Sequence, residues 1–151
     1  MGMCRHMGQP TNGTVPITFG TYNIYNRRNG SLESALRGMY QANMDLGIFQ
    51  ETKLTGGIYT RGLDGYIIVA TDTLSRHRGG VAVFHRPAPH FAVEAVQQFG
   101  PDVIGFQLVS GARRWYIVGC YLAHNDTSTI ERFVKSLRHR PKGAELLVAR
   151  T

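Results

Sequence analysis

Three polar side chains stand where apolar runs end: Asn23 after ITFGTY, Glu51 after LGIFQ and Tyr121 after WYIVGC. A carboxamide, a carboxylate and a phenol brought to one place would suit a hard, oxygen-loving cation, Mg²⁺ or Mn²⁺, holding a phosphate ester. Each residue also has an ordinary reading. Glu51 is then a solvated strand end, Asn23 a turn former, and Tyr121 a core aromatic with its hydroxyl at the rim. His124 is of a type that works as a general base near neutral pH, although a loop histidine facing solvent or capping a turn is commoner. Arg76 and Arg78 flank His77 ahead of an apolar run, where they could meet a phosphate backbone or simply water. Asn125 adjoins His124 and joins it as a candidate nucleic-acid contact. Arg27 and Arg28 are similar to Arg76 and Arg78, whereas the basic RHRPKG at 138–143 follows a helix, whose C-terminus favours positive charge anyway.

The elements that must position these groups follow from periodicity. PITFGTYNI alternates as a strand, and Leu32, Leu36, Met39 and Asn43 recur at helical spacing behind a Ser31 cap. LGIF then completes a strand–helix–strand unit whose two strands should lie parallel. GYIIVAT, GGVAVFH and FAVEAVQQF predict three further strands, and VIGFQLVSGARRWYIVGCYL predicts a hairpin turning at Ser110–Ala112. Ser128 and Glu131 have the spacing of a capping box, with Ile130, Phe133, Val134 and Leu137 as one apolar helix face, before AELLVA begins a last strand. The expectation is a mixed-sheet α/β sandwich, with strands stacked face to face and helices outside. Alternation puts Ile17, Phe19, Thr21 and Asn23 on one face, Gly47, Phe49 and Glu51 on another, and Trp115, Ile117, Gly119 and Tyr121 on a third. Each strand then delivers one hydrogen-bonding group at its carboxyl end, where ligands of open α/β sheets collect.

Composition bounds the partners. The 151 residues suit one domain able to bury roughly 70% of its unfolded surface. Seventeen Lys and Arg against ten Asp and Glu leave a net charge of +7, which favours phosphate-rich partners such as DNA or another nucleic acid. Cys4 and Cys120 support neither a disulfide framework nor a four-ligand zinc site, and they fit an intracellular setting. No apolar stretch reaches the roughly 18 residues a membrane span needs, and no secretory signal core is present, so a soluble chain without membrane contact is expected. Residues 1–14 are expected to be a disordered leader and 15–151 the folded domain.

TYNI, FQETKL, RGGVAVF and GCYLAHND occur in the order and rough spacing found in the endonuclease/exonuclease/phosphatase superfamily. QETK and RGGVAV resemble above all the apurinic-endonuclease-like domains of non-LTR retrotransposons. The resemblance runs from about Thr18 to Ala149 and implies a four-layer α/β sandwich of the DNase I-like type. It further implies that Glu51 is the direct metal ligand, that Asn23 organises metal and phosphate, and that Tyr121 contacts the scissile phosphate. Location would be intracellular and compatible with the nucleus. Two departures stand out. The proline expected two residues after Tyr121 is Ala123, with His124 next. After a strand like ELLVA the family continues Gly-Asp-Phe-Asn and later carries Ser-Asp-His, whereas Arg150–Thr151 follow here. The resemblance therefore implies a truncated Mg²⁺-dependent endonuclease domain acting on DNA, weakly active or inactive. Two alternatives stay open: a non-catalytic nucleic-acid-binding remnant of a retroelement endonuclease, and a lipid-phosphate phosphodiesterase of the same superfamily.

Overall fold

The computed structural model describes residues 3–7, 15–24, 31–54, 57–61, 65–72, 79–122 and 127–150. In chain order its elements are β1 (Met3–Met7), β2 (Ile17–Asn23), α1 (Ser31–Gln41), β3 (Leu46–Gln50), β4 (Gly57–Arg61), β5 (Tyr66–Ala70), β6 (Val81–His85), β7 (Ala92–Gln98), β8 (Val103–Ser110), β9 (Arg113–Cys120), α2 (Thr127–Leu137) and β10 (Glu145–Arg150). The strands form two mixed sheets, ordered β1-β2-β3-β6-β5-β4 and β10-β9-β8-β7. As expected, β2 and β3 are parallel across α1, and β8 and β9 form the hairpin.

The sheets stack because their facing residues are apolar. Ile17, Phe19, Leu46, Ile48, Val81 and Val83 from the first meet Ile104, Phe106, Leu108, Trp115, Ile117 and Ala149 from the second. On the outer face of the six-stranded sheet, Ala35, Leu36 and Met39 of α1 close over Phe49, Tyr66, Ile68 and Phe84. All five residues of β3 are buried, since this strand is covered on both faces. Outside the four-stranded sheet, Phe133 and Leu137 of α2 pack on Phe99, Val103, Tyr116 and Val118. The layers run α1, six strands, four strands, α2.

Four expectations change. The leader assigned to 1–14 contains β1, which pairs antiparallel with β2 through backbone groups that composition does not reveal. The strand β4, Gly57–Arg61, was not anticipated and pairs with β5. Helix α1 stops at Gln41, so Asn43 is not on it. Asn43 takes a left-handed conformation at φ 55°, and the Met44 N–H reaches back to the Met39 carbonyl in the manner of a helix C-cap. Helix α2 begins at Thr127, which puts Ser128 inside its first turn, and its apolar face is rotated. Thr129 and Ser136 are fully buried while Ile130 and Val134 are 50% and 45% exposed. Polar anchors set that rotation: the Tyr116 hydroxyl donates to the Ser136 carbonyl at 2.7 Å, and Thr129 donates to Asp102.

Candidate active site

Parallel pairing places Asn23 beside Gln50, and the Ile24 N–H donates to the Gln50 carbonyl at 3.1 Å. In this register Phe19 pairs with Leu46, both in the inter-sheet core, so Asn23 and Gln50 also project toward the second sheet. Gln50 is buried, and its Nε2 has no hydrogen-bond partner among the described residues.

Glu51 comes next, and simple alternation fails there. Continuing β3 would put its side chain with Phe49, on the α1 side of the sheet. The backbone instead turns left-handed at Glu51, φ 52°, and the carboxylate reaches Tyr121 at the rim of the inter-sheet core. The Tyr121 hydroxyl donates to Glu51 Oε1 at 3.2 Å. Glu51 and Tyr121 thus meet at the edge where β2 ends in Asn23, but a bulge in the backbone and not a matching parity brings Glu51 there.

Glycines hold the bulge. Gly79 and Gly80 have φ of 85° and 93°, a region that only glycine enters cheaply. Their carbonyls accept from Lys53 and Thr52 N–H at 3.1 and 3.3 Å, clamping the segment that follows Glu51. The same edge is tied to the second sheet by Thr71, whose hydroxyl lies 2.7 Å from the Pro101 carbonyl.

Arg76, Arg78, His124 and Asn125 lie outside the described residues. Cys120 is buried one residue before Tyr121, and burial pushes its thiol up to about 11, which keeps it protonated and a poor nucleophile. Sequence reasoning missed Gln50, Gly79, Gly80 and Asp102 as parts of this edge. Gln50 and the glycines lie within FQETKL and RGGVAVF, whose spacing does not reveal their contacts, and Asp102 has no motif around it.

Among the described residues no three His, Cys, Asp or Glu side chains gather closely enough to hold a metal by themselves. The donor set is one carboxylate with a phenol and a carboxamide near it. Mg²⁺ binds through one or two carboxylates and keeps several waters, so this set fits a cation held largely through water.

No protein-family model matches the chain, and no curated protein matches its sequence. Solved structures do match its shape. The endonuclease domain of TRAS1, a telomere-specific non-LTR retrotransposon, superimposes with a TM-score of 0.63 at 13% identity, over 89% of this chain and 58% of that one. D. rerio TDP2 complexed with single-strand DNA product gives 0.61 at 13% identity, over 89% and 59%. The human Nocturnin catalytic domain with bound sulfate gives 0.65 at 13% identity, over 99% and 66%. The chain shares the fold of these structures, an α/β sandwich of the DNase I-like type. At such identity the likeness is one of fold, and the chain spans 58–66% of the length of these three structures. In this fold the edge carrying Asn23, Glu51 and Tyr121 is the carboxyl end of β2, β3 and β9.

Proposed function

We propose that this chain carries the metal- and phosphate-holding edge of a nuclease-type phosphodiesterase acting on DNA. The observation that carries the reading is the left-handed turn at Glu51, which brings its carboxylate to the Tyr121 hydroxyl at the carboxyl edge of both sheets. A non-glycine residue in this conformation is a departure that persists only where surroundings enforce it, and such departures cluster at functional sites. The names of the structural neighbours, an endonuclease domain and a protein bound to a DNA product, support the substrate class.

Each residue has a role that its chemistry permits. Glu51 would hold the cation through its carboxylate, and Asn23 would hydrogen-bond to the water around the cation and to the phosphate. The Gln50 amide is a buried donor beside them. Tyr121 has a single hydroxyl proton, which serves either Glu51 or a phosphate oxygen. Arg76, Arg78, His124 and Asn125 would contact the nucleic acid. Bound Mg²⁺ or Mn²⁺ supplies neutralisation of phosphate charge. The sequence contains neither Gly-Asp-Phe-Asn nor Ser-Asp-His, so neither motif supplies a base to activate water, and His124 is the residue nearby in sequence of a type that could. On this reading the isolated chain binds DNA and does not cut it, which makes a non-catalytic binding module its second description; the net charge of +7 favours that part independently.

Two assays test this. A salt titration should show binding without sequence preference, with log affinity falling against log salt at roughly 0.9 per phosphate neutralised. Absence of binding at low salt would sink the substrate class. A supercoiled-plasmid nicking assay with Mg²⁺ should show no cleavage beyond that of Glu51→Gln. Robust nicking that disappears in Glu51→Gln would show the site to be complete as it stands.

A further inference from the structure

Both partners of the Glu51–Tyr121 contact hang from one residue that no motif flagged. Asp102 sits in the turn between β7 and β8, and its Oδ1 accepts from the Gly80 N–H at 3.3 Å. A Cβ on Gly79 would lie 2.9 Å from the same oxygen, so the Gly79–Gly80 segment lies directly against this carboxylate. That segment in turn accepts from the Thr52 and Lys53 N–H groups just beyond Glu51. The Asp102 main chain serves the other partner, because its carbonyl accepts from the Tyr121 N–H at 3.0 Å. Oδ2 is held separately, by the Thr129 hydroxyl at 3.5 Å at the start of α2, and Arg132 Nη2 donates to that hydroxyl at 3.1 Å. The side chain therefore links the six-stranded sheet to α2, while the backbone links to β9.

We propose that Asp102 is a positioning residue, setting the left-handed turn at Glu51 against Tyr121 by fixing the Gly79–Gly80 segment and the Tyr121 backbone in one frame. Its side-chain hydrogen bonds go to Gly80 and Thr129, so it acts through the segments that carry Glu51 and Tyr121. An acceptor oxygen at the Oδ1 position is what the Gly80 N–H requires, so an amide there serves and a methyl does not. The functional weight of this role rests on the metal-and-phosphate reading above; the geometry does not.

The test reads the Glu51 carboxyl carbon by NMR in the wild type and in Tyr121→Phe, Asp102→Ala, Asp102→Asn and Arg86→Ala. Tyr121→Phe removes the hydroxyl bond and defines the displaced resonance. Asp102→Ala should reproduce that displaced resonance, Asp102→Asn should keep the wild-type one, and Arg86→Ala, which breaks the remote 2.8 Å pair with Asp45, should also keep it. If Asp102→Ala does not fold, Asp102→Ser replaces it, since the shorter side chain cannot reach Gly80. A wild-type resonance in the Ala or Ser variant overturns the proposal, as does a Tyr121→Phe resonance that does not move. Displacement in Asp102→Asn assigns the effect to charge and overturns it too, and displacement in Arg86→Ala assigns it to general destabilisation. Mn²⁺ added to the wild type reports separately on function: failure to broaden the Glu51 resonance removes the metal reading and leaves the Asp102 result standing.

Discussion

At Glu51 and again at Lys53 the backbone turns left-handed, both at φ 52°. For an L-residue this costs roughly 1–2 kcal/mol, because Cβ crowds the following carbonyl. Glycine escapes that cost but loses about 0.5–1 kcal/mol through its freer unfolded chain. Lys53→Gly should therefore stabilise the protein by about 0.5–1 kcal/mol, measured as a higher urea midpoint. Glu51→Gly should gain similarly while removing the carboxylate, and that pairing of gain with loss is the mark of a position kept for its side chain. Glu51 was legible as a candidate because a charged residue closes an apolar run. Its direction was not, since period-2 alternation assumes a strand that continues, and β3 ends at Gln50.

The element that delivers Asn23 and Glu51 together is the parallel pair of β2 and β3, and its closeness depends on glycine. A Cβ on Gly47 would stand 1.8 Å from the Gly20 carbonyl oxygen and 2.7 Å from the Phe84 ring. Gly47→Ala should cost about 3 kcal/mol, at the upper end of overpacking effects, since a backbone atom cannot yield. Urea unfolding checks the stability, and loss of the Asn23–Gln50 pairing in NMR checks the local cause. Helix α2 is fixed to β9 by buried Tyr116, whose hydroxyl burial pushes up to about 12 from an ordinary 10.0. The sign follows from which state keeps its proton. Above pH 10 the unfolded chain loses the Tyr116 proton while the folded chain retains it, so this contribution is complete below pH 10 and drains as pH rises to 12. Cys120 adds the same trend between 9.0 and about 11. Unfolding free energy should fall across pH 9–12, and Tyr116→Phe should flatten its upper part. Helix α2 itself was legible from its periodicity. Its rotation was not, because buried Thr129 and Ser136 are chosen by polar partners distant in sequence.

Over the whole molecule, apolar surface remains on the side of the four-stranded sheet that α2 covers in part. Ile130 and Val134 are 50% and 45% exposed and line a depression of about 400 Å³ with Glu131, Lys135 and Arg138. Leu146 and Val148 of β10, the outermost strand of that sheet, are 39% and 37% exposed. They pair with Tyr116 and Val118, which face α2, so they project to the same side. An apolar strand at a sheet edge beside an exposed apolar helix stripe favours association. The isolated chain should therefore self-associate with rising concentration, and Ile130→Lys with Val148→Lys should suppress this in sedimentation experiments while leaving the fold unchanged. A monodisperse wild type at high concentration would contradict it.

The sequence by itself determined the alternation of strands and helices, the stacking of two sheets and the three polar residues at strand ends. Those follow from local periodicity and from where apolar runs stop, which need no distant partner. Pairings and contacts between segments far apart were decided by the tertiary structure alone. Composition could not place β1 beside β2, and no spacing rule couples Asp102 to Gly80, or Thr129 to Asp102. Above all, the meeting of Glu51 with Tyr121, seventy residues later, arises from a backbone bulge held by Gly79 and Gly80. A bulge of that kind is set by the hydrogen bonds around it and leaves no periodic trace in the chain.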